Sequence, residues 1–188
     1  SQASPPQPNP EFKANASTEK KERKKERKAR KETRCIVIFG DDSEKERLGN
    51  ALLEQEAFQD FRDSACCSAV KGAFKDVPIK VINTPRWHPA DNSRELARSE
   101  NYLNEYIFGY DVLVVARASD KITPEFKKNV ERFLEKFEDG EENLIFFIPQ
   151  LSDDKYTFLE ELGLPPETIV TNDILAIVQN DFRTVRLK

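Results

Sequence analysis

The clearest chemical pattern in the sequence follows an apolar stretch at residues 35–39, which reads CIVIF and ends at Gly40. A glycine directly after a buried strand can begin a phosphate-binding loop of the pattern GxxxxGK[ST]. In that loop, backbone N–H groups cradle the phosphates, a lysine neutralises them and a hydroxyl holds Mg²⁺. Aligned on Gly40, the pattern places Lys45 at the second glycine, Glu46 at the lysine and Arg47 at the hydroxyl. The loop therefore keeps only the first of these residues.

The charges of this loop oppose an anionic ligand. Asp41, Asp42 and Glu44 flank Ser43 where a polyphosphate would rest. A carboxylate about 4 Å from a phosphate charge costs roughly 4 kcal/mol at an effective dielectric constant near 20. Micromolar affinity amounts to only about −8 kcal/mol. The neighbouring basic side chains could swing inward and offset part of this cost, yet we expect that the loop does not hold a triphosphate.

Other residue types that carry chemistry are few. Three cysteines, two of them adjacent, do not form a disulfide framework, which favours a reducing, cytoplasmic compartment. Cys35 is expected in the core, and Cys66 and Cys67 are expected to be inert. The single histidine, His88, excludes a site with paired histidine ligands, and we expect no metal site. Trp87 is either an exposed anchor for a partner or a cap on the sheet edge.

Strand-like and helical segments alternate through most of the chain. Residues 35–39, 111–116 and 143–148 predict strands buried on both faces, and Thr123 and Pro124 predict the start of an amphipathic helix. The fold class predicted is α/β: a three-layer, mostly parallel sheet with one antiparallel strand. Ligands of such sheets bind outside the carboxyl ends of the strands. The other predicted elements are strands at 69–75, 77–82 and 168–171 and helices at 93–107, 153–162 and from 173.

The charge distribution divides the chain of 188 residues. Residues 1–12 are proline-rich and are expected to be disordered. Residues 13–33 predict a basic charged helix or linker, and residues 34–188 predict one globular domain with a net negative charge. The basic run at 20–31 permits weak contact with an anionic surface, but no aromatic side chain interleaves it, so nucleic acid is not expected. No apolar run reaches the roughly 18 residues that a membrane span requires.

Four segments of the chain carry a resemblance to a known family. They are RCIVIFG at 34–40, LGNALLEQEAF at 48–58, VINTPRW at 81–87 and ITPEFKKNVERFLEKF at 122–137. In this order they resemble the GTPases of immunity-associated proteins (GIMAP), over about residues 34–148, and the resemblance fades after Pro149. It implies a P-loop GTPase-like fold of the septin and Ras type, with GTP and Mg²⁺ as the family's ligands and GTP hydrolysis as its activity.

Carried over to this chain, most of the family's phosphate and metal ligands are replaced. The phosphate-binding lysine falls on Glu46 and the magnesium-binding serine on Arg47. The Asp-Thr-Pro-Gly element that senses the γ-phosphate falls on residues 83–86, which read NTPR, so a carboxylate and a glycine are lost. Hydrolysis requires metal, lysine and sensor together, and the resemblance therefore implies a degenerate site.

The resemblance leaves the base site better preserved than the phosphate site. The guanine-reading loop falls on residues 149–154, where Asp153 or Asp154 is the candidate remnant, and the last base-contacting turn falls on residues 171–173. The full set of candidate nucleotide-site positions is Gly40, Asp41, Asp42, Ser43, Glu44, Lys45, Glu46, Arg47, Asp153 and Asn172.

Three functions are compatible with these residues. The first is a pseudo-GTPase, without catalytic residues or cofactor, that binds a protein partner or a second copy of itself. Its acidic face, with Lys45, Arg47 and Arg86 interspersed, would permit self-complementary pairing. The second is a guanine-nucleotide-binding protein with weak or very slow GTPase activity, in which Lys45 replaces the lost lysine. The third is a domain tethered to an anionic surface by its basic arm.

Overall fold

The computed structural model places the backbone of most of the predicted globular region. Its backbone divides the chain into two units, Ser1–Thr33 and Arg34–Lys188. In the first unit only the helical Thr18 and Lys21, and Thr33, are described, so the disordered and basic segments remain predictions. The described residues are 18, 21, 33–59, 67–87, 111–138, 140–152, 154–179 and 186–187. The predicted helix at 93–107, His88 and Cys66 lie outside them.

The second unit contains a six-stranded sheet in the order β2-β3-β1-β4-β6-β7. Neighbouring strands are parallel, except that β2 pairs antiparallel with β3 at the edge of the sheet. A separate antiparallel pair joins β5 and β8. The strands are β1 Arg34–Phe39, β2 Ser68–Phe74, β3 Val77–Asn83, β4 Val112–Ala116, β5 Phe137–Glu138, β6 Leu144–Phe147, β7 Ile169–Thr171 and β8 Arg186–Leu187. The predicted mostly parallel sheet with one antiparallel edge is confirmed.

Four α-helices lie in the described part of the second unit, and the longest follows the predicted signals. The Thr123 side chain accepts a hydrogen bond from the Phe126 amide at 3.1 Å, and Pro124 is the first helical residue. The N–H groups of the first helical turn lack acceptors within the helix. Thr123 supplies an acceptor for one of them, and Pro124 has no N–H group that would need one. The helices are α1 Glu44–Leu53, α2 Pro124–Lys136, α3 Lys155–Glu161 and α4 Ile174–Gln179. In the described part of the chain, no helix is long and apolar enough to cross a membrane.

Alternate side chains of the central strands point to opposite faces of the sheet and build two cores. On β1, Val37 and Phe39 pack with α2 and α3, whereas Ile36 and Ile38 pack with α1 and α4. All four side chains are buried, as the continuous apolar run predicted. The three-layer arrangement is thus confirmed, and it brings the loops after β1, β3, β4 and β6 to the carboxyl edge of the sheet.

Candidate functional site

The loop between β1 and α1 is shorter than a phosphate-binding loop requires. Residues 40–43 separate the two elements, and α1 begins at Glu44. In the pattern GxxxxGK[ST], six residues form the cradle before the lysine. The N-cap residue Ser43 makes no side-chain cap hydrogen bond, but the Asp42 side chain accepts one from the Glu44 amide at 2.9 Å. That bond gives a partner to one of the first-turn N–H groups, which lack acceptors within the helix. The positions aligned with the second glycine, the lysine and the hydroxyl therefore all lie in the first turn of α1.

Gly40 is needed for close packing at the start of this loop. A Cβ atom at this position would lie 2.4 Å from the backbone oxygen of Ala116 in β4 and 3.0 Å from Cγ of Lys45. The Gly40 carbonyl accepts a hydrogen bond from the Trp87 amide at 2.8 Å. The glycine therefore lets the chain pass between β4 and the side chain of Lys45.

The two aspartates of the loop contact the segment after β4. Arg117 Nε lies 3.2 Å from Asp41 Oδ1, and the Ala118 amide donates to Asp42 Oδ2 at 3.0 Å. The Arg117 guanidinium also stacks on the ring of Phe126, 4.0 Å from its centroid. Asp42 thus places a carboxylate at the N-terminus of α1, where a helix attracts anions such as phosphate.

Lys45 does not face the solvent, because its side chain is fully buried. Its ammonium group donates to Asn83 Oδ1 at 2.9 Å, to the Thr84 carbonyl at 2.7 Å and to Glu46 Oε1 at 3.3 Å. Burial lowers the pKa of Lys45 from its ordinary value, and the neighbouring Glu46 carboxylate opposes that shift. The lysine is therefore engaged with oxygen atoms of α1 and of the end of β3.

The carboxylates on either side of Lys45 are also buried, contrary to the expected acidic face. Glu46 is 3% exposed, and its Oε2 lies 3.6 Å from Arg86 Nη2. Glu44 is 8% exposed, and its Oε1 lies 3.1 Å from Nη1 of Arg47. The Arg47 side chain itself is 72% exposed. A mixed-charge surface that includes Glu44, Lys45 and Glu46 is therefore wrong. Lys45 and Glu46 point toward Asn83, Thr84 and Arg86, whereas Arg47 in the same turn faces the solvent.

The segment after β3, residues 84–87, contacts β1 and α2. The Thr84 amide and hydroxyl both donate to the Ile38 carbonyl, at 3.1 and 2.8 Å. The ring of Trp87 stacks on Phe39, with centroids 6.2 Å apart, and lies 6.0 Å from Phe133. Trp87 is partly buried against the core, as the alternative of a cap on the sheet edge predicted.

The side chains on the predicted base side of the site are more exposed to solvent than those of the first turn of α1. Asn172 is exposed after β7, and the Asp173 side chain accepts from the Leu175 amide at 2.9 Å at the start of α4. Asp153 lies outside the described residues, and Asp154 accepts from the Tyr156 amide at 3.2 Å at the start of α3. The aspartates that are described therefore cap helices.

Ser152 and Asp120 make a further contact at the carboxyl edge of the sheet, which the sequence does not predict. Ser152 donates its amide and its hydroxyl to the Asp120 carboxylate, at 3.0 and 2.9 Å, and thereby joins the loops after β4 and β6. Its signal in the sequence was weak, although Asp120 and Arg117 both follow a buried strand at the edge where ligands bind.

The residues present do not fit a magnesium nucleotide. Arg47 stands at the hydroxyl position, Asn83 replaces the expected carboxylate, and the Lys45 ammonium already lies among the oxygens of Asn83 and Thr84. Across the described ranges, no group of three or more His, Cys, Asp or Glu side chains is arranged to hold a metal ion.

Burial raises the pKa of the Cys35 thiol to about 12, helped by the charge of Asp111, so this cysteine is a poor nucleophile.

The sequence matches no protein-family model and no curated protein, but the structure resembles solved GTPase domains. Toc33 from Arabidopsis thaliana in complex with GDP and Mg²⁺ aligns with a TM-score of 0.54 and 16% identity, covering 74% of this chain and 62% of that one. A structure of the chloroplast translocon components atToc33 and psToc159 gives 0.55 and 16%, covering 70% and 58%. The cytosolic domain of the FeoB iron transporter from T. maritima gives 0.51 and 16%, covering 81% and 67%.

These similarities show the fold: the chain has the architecture of a P-loop GTPase domain. The chain spans about 58 and 62% of the lengths of the two Toc structures.

Proposed function

We propose that the protein is a pseudo-GTPase domain, related to the GIMAP family, that acts as a protein-interaction or self-association module in the cytoplasm. It takes no nucleotide or metal cofactor and has no catalytic residues. The observation that carries the proposal is the buried Lys45 ammonium, which binds Asn83, Thr84 and Glu46. The lysine that could replace the lost phosphate ligand is thereby engaged by oxygen atoms of the chain itself.

The energy needed to release Lys45 supports this proposal. A hydrogen bond to a charged group contributes about 1.5–3 kcal/mol, and the ammonium makes three. Their sum is comparable to the whole binding free energy of a micromolar ligand, about −8 kcal/mol. A lysine that left this position would also leave the Glu46 carboxylate buried beside the incoming phosphate. The alternative of a weak GTP binder with Lys45 as the phosphate ligand is disfavoured for both reasons.

Thermal unfolding with nucleotide tests the proposal. A ligand present at 100 times its Kd stabilises a protein by about 2.7 kcal/mol, which would raise the Tm of a domain of this size by roughly 5–10 °C. We expect the Tm to stay unchanged when GTP, GDP or a non-hydrolysable GTP analogue is added at a concentration of about 100 times a micromolar Kd. Each nucleotide should be measured with Mg²⁺ and with EDTA. A saturable rise that requires Mg²⁺ and guanine would favour the weak GTPase instead.

The interaction role is supported by the exposed side chains at the carboxyl edge. Among the described residues, the large hydrophobic side chains that are exposed are Leu151 and Tyr156, at 37 and 52%. Both lie beyond the end of β6, and Tyr is, with Trp and Arg, among the residue types that most often anchor interfaces. The GTPase activity of atToc33 and psToc159 is described as depending on dimerisation. A second copy of this chain is therefore the first partner to test.

Sedimentation velocity across a concentration series measures that self-association. If Tyr156 and Leu151 anchor a dimer, the variant Leu151→Ser/Tyr156→Ser should raise the dimer Kd about tenfold or more. Lys128→Ser is the matched control, because Lys128 is exposed on α2 and should leave the Kd unchanged. A chain that stays monomeric at the highest concentration would exclude self-association through this edge and leave another protein as the partner.

A further inference from the structure

The buried ammonium of Lys45 joins two elements that a working G domain joins through its ligand. In GTPases, the γ-phosphate and Mg²⁺ order the switch segments, which are released after hydrolysis. Here Nζ of Lys45 lies within 2.9 Å of Asn83 Oδ1 and within 2.7 Å of the Thr84 carbonyl, both at the end of β3. The lysine itself belongs to the first turn of α1. A positive charge of the chain therefore occupies a position between α1 and β3.

We propose that Lys45 is a built-in cation that locks residues 84–87 in one ordered conformation without any ligand, so that this segment is permanently ordered and does not act as a switch. The inference deepens the proposed pseudo-GTPase function, on which it rests. It concerns regulation, because a segment held by the chain's own charge does not respond to the nucleotide state.

Further contacts show that the lock extends along the whole segment. Thr84 is held by two hydrogen bonds to the Ile38 carbonyl, and the Trp87 amide by one to the Gly40 carbonyl. Arg86 lies 3.6 Å from the Glu46 carboxylate. The Trp87 ring packs among Phe39, Phe126 and Phe133, with centroids 6.0 to 6.3 Å apart. Each end of residues 84–87 thus contacts β1 or the loop that follows it.

The physical consequence is the loss of a two-state element. A ligand shifts a conformational equilibrium only by its differential affinity for the two states. Here the favoured state is already stabilised by a buried ionic network whose cation and carboxylate come from α1. Thr84 and Pro85 are buried, and Arg86 and Trp87 are partly exposed. A partner that contacts the exposed parts of Arg86 and Trp87 would meet side chains that are already ordered.

Trp87 is the only tryptophan of the chain, so its fluorescence reports on this segment directly. The test variant is Lys45→Met, which keeps an unbranched apolar stem and removes the charge. We expect its Trp87 emission to shift to the red, and amide hydrogen exchange at Thr84 and Trp87 to accelerate about tenfold or more, because hydrogen bonds to a charged group are lost. The control Lys128→Met changes an exposed lysine of α2 and should leave both readouts unchanged.

Two outcomes would overturn the lock. The first is a folded Lys45→Met variant, verified by circular dichroism, with unchanged emission and exchange. The second applies to the unmodified chain even if the variant does not fold: protection of the Thr84 and Trp87 amides that appears only when GTP and Mg²⁺ are added. Protection that is already present without nucleotide and unaltered by it supports the lock.

The two proposals fail in distinguishable ways. GTP binding in the thermal unfolding test would overturn the pseudo-GTPase, and a mobile Trp87 in the unmodified chain would overturn the lock alone.

Discussion

Replacing Glu46 with leucine should lower the free energy of unfolding by about 3–5 kcal/mol, the usual cost of removing one partner of a buried ion pair. Glu46 is 3% exposed and places one carboxylate oxygen 3.3 Å from Lys45 and the other 3.6 Å from Arg86. Without that carboxylate, two cations would face each other in a poorly hydrated site. Urea unfolding measures the effect as a lower midpoint with an unchanged slope.

The double variant Lys45→Met/Glu46→Leu separates charge from packing. A buried ion pair replaced by apolar side chains of similar volume is often neutral or even stabilising. We therefore expect the double variant to recover most of the stability that Glu46→Leu loses. Glu131→Leu, on the exposed face of α2, is the control and should stay within about 0.5 kcal/mol. A loss below about 1 kcal/mol for Glu46→Leu would show that water screens the pair.

Replacing Gly40 with alanine should cost about 3 kcal/mol in unfolding free energy, at the upper end for overpacking. The new Cβ would lie 2.4 Å from the Ala116 carbonyl oxygen, and backbone of a central strand cannot move aside easily. The loss should appear without any nucleotide present, because the glycine is needed for packing between β1 and β4. Chemical denaturation at equilibrium is the measurement.

Gly163→Ala is the matched control for Gly40→Ala. Gly163 has a φ of 69°, with no atom within 4 Å of the position of a Cβ. Its substitution should therefore cost about 1 kcal/mol, from backbone strain alone. If the two variants lost equal stability, the close approach of Gly40 to Ala116 would not be the reason for the glycine.

The centre of the sheet could be predicted from local sequence, because β1, β4 and β6 are almost entirely apolar runs that are buried between the helices. The best helix signal, Thr123 followed by Pro124, was also local and correctly placed the start of α2. Both predictions rest on residues that are close in sequence, and they held for the elements described.

The first turn of α1 could not be predicted in the same way. The pattern aligned on Gly40 assumes a longer loop, whereas α1 begins at Glu44, whose amide donates a hydrogen bond to Asp42. The direction of Lys45 depends on acceptors 38 and 39 residues away, at Asn83 and Thr84. Charged side chains are mostly exposed, so their sequence gave no sign that Glu44, Lys45 and Glu46 would be buried. Only the tertiary structure supplies the partners that make this burial tolerable.

The carboxylate of Asp42 and the ammonium of Lys45 have a consequence for how the domain would behave in a cell. A protein that is stabilised by a bound metabolite has a folded population that rises and falls with the concentration of that metabolite. Here the opposite charges at the head of α1 are synthesised with the polypeptide and are present at one copy per molecule. With no guanine nucleotide bound, as proposed, the folded population of the domain would not change with the concentration of that nucleotide.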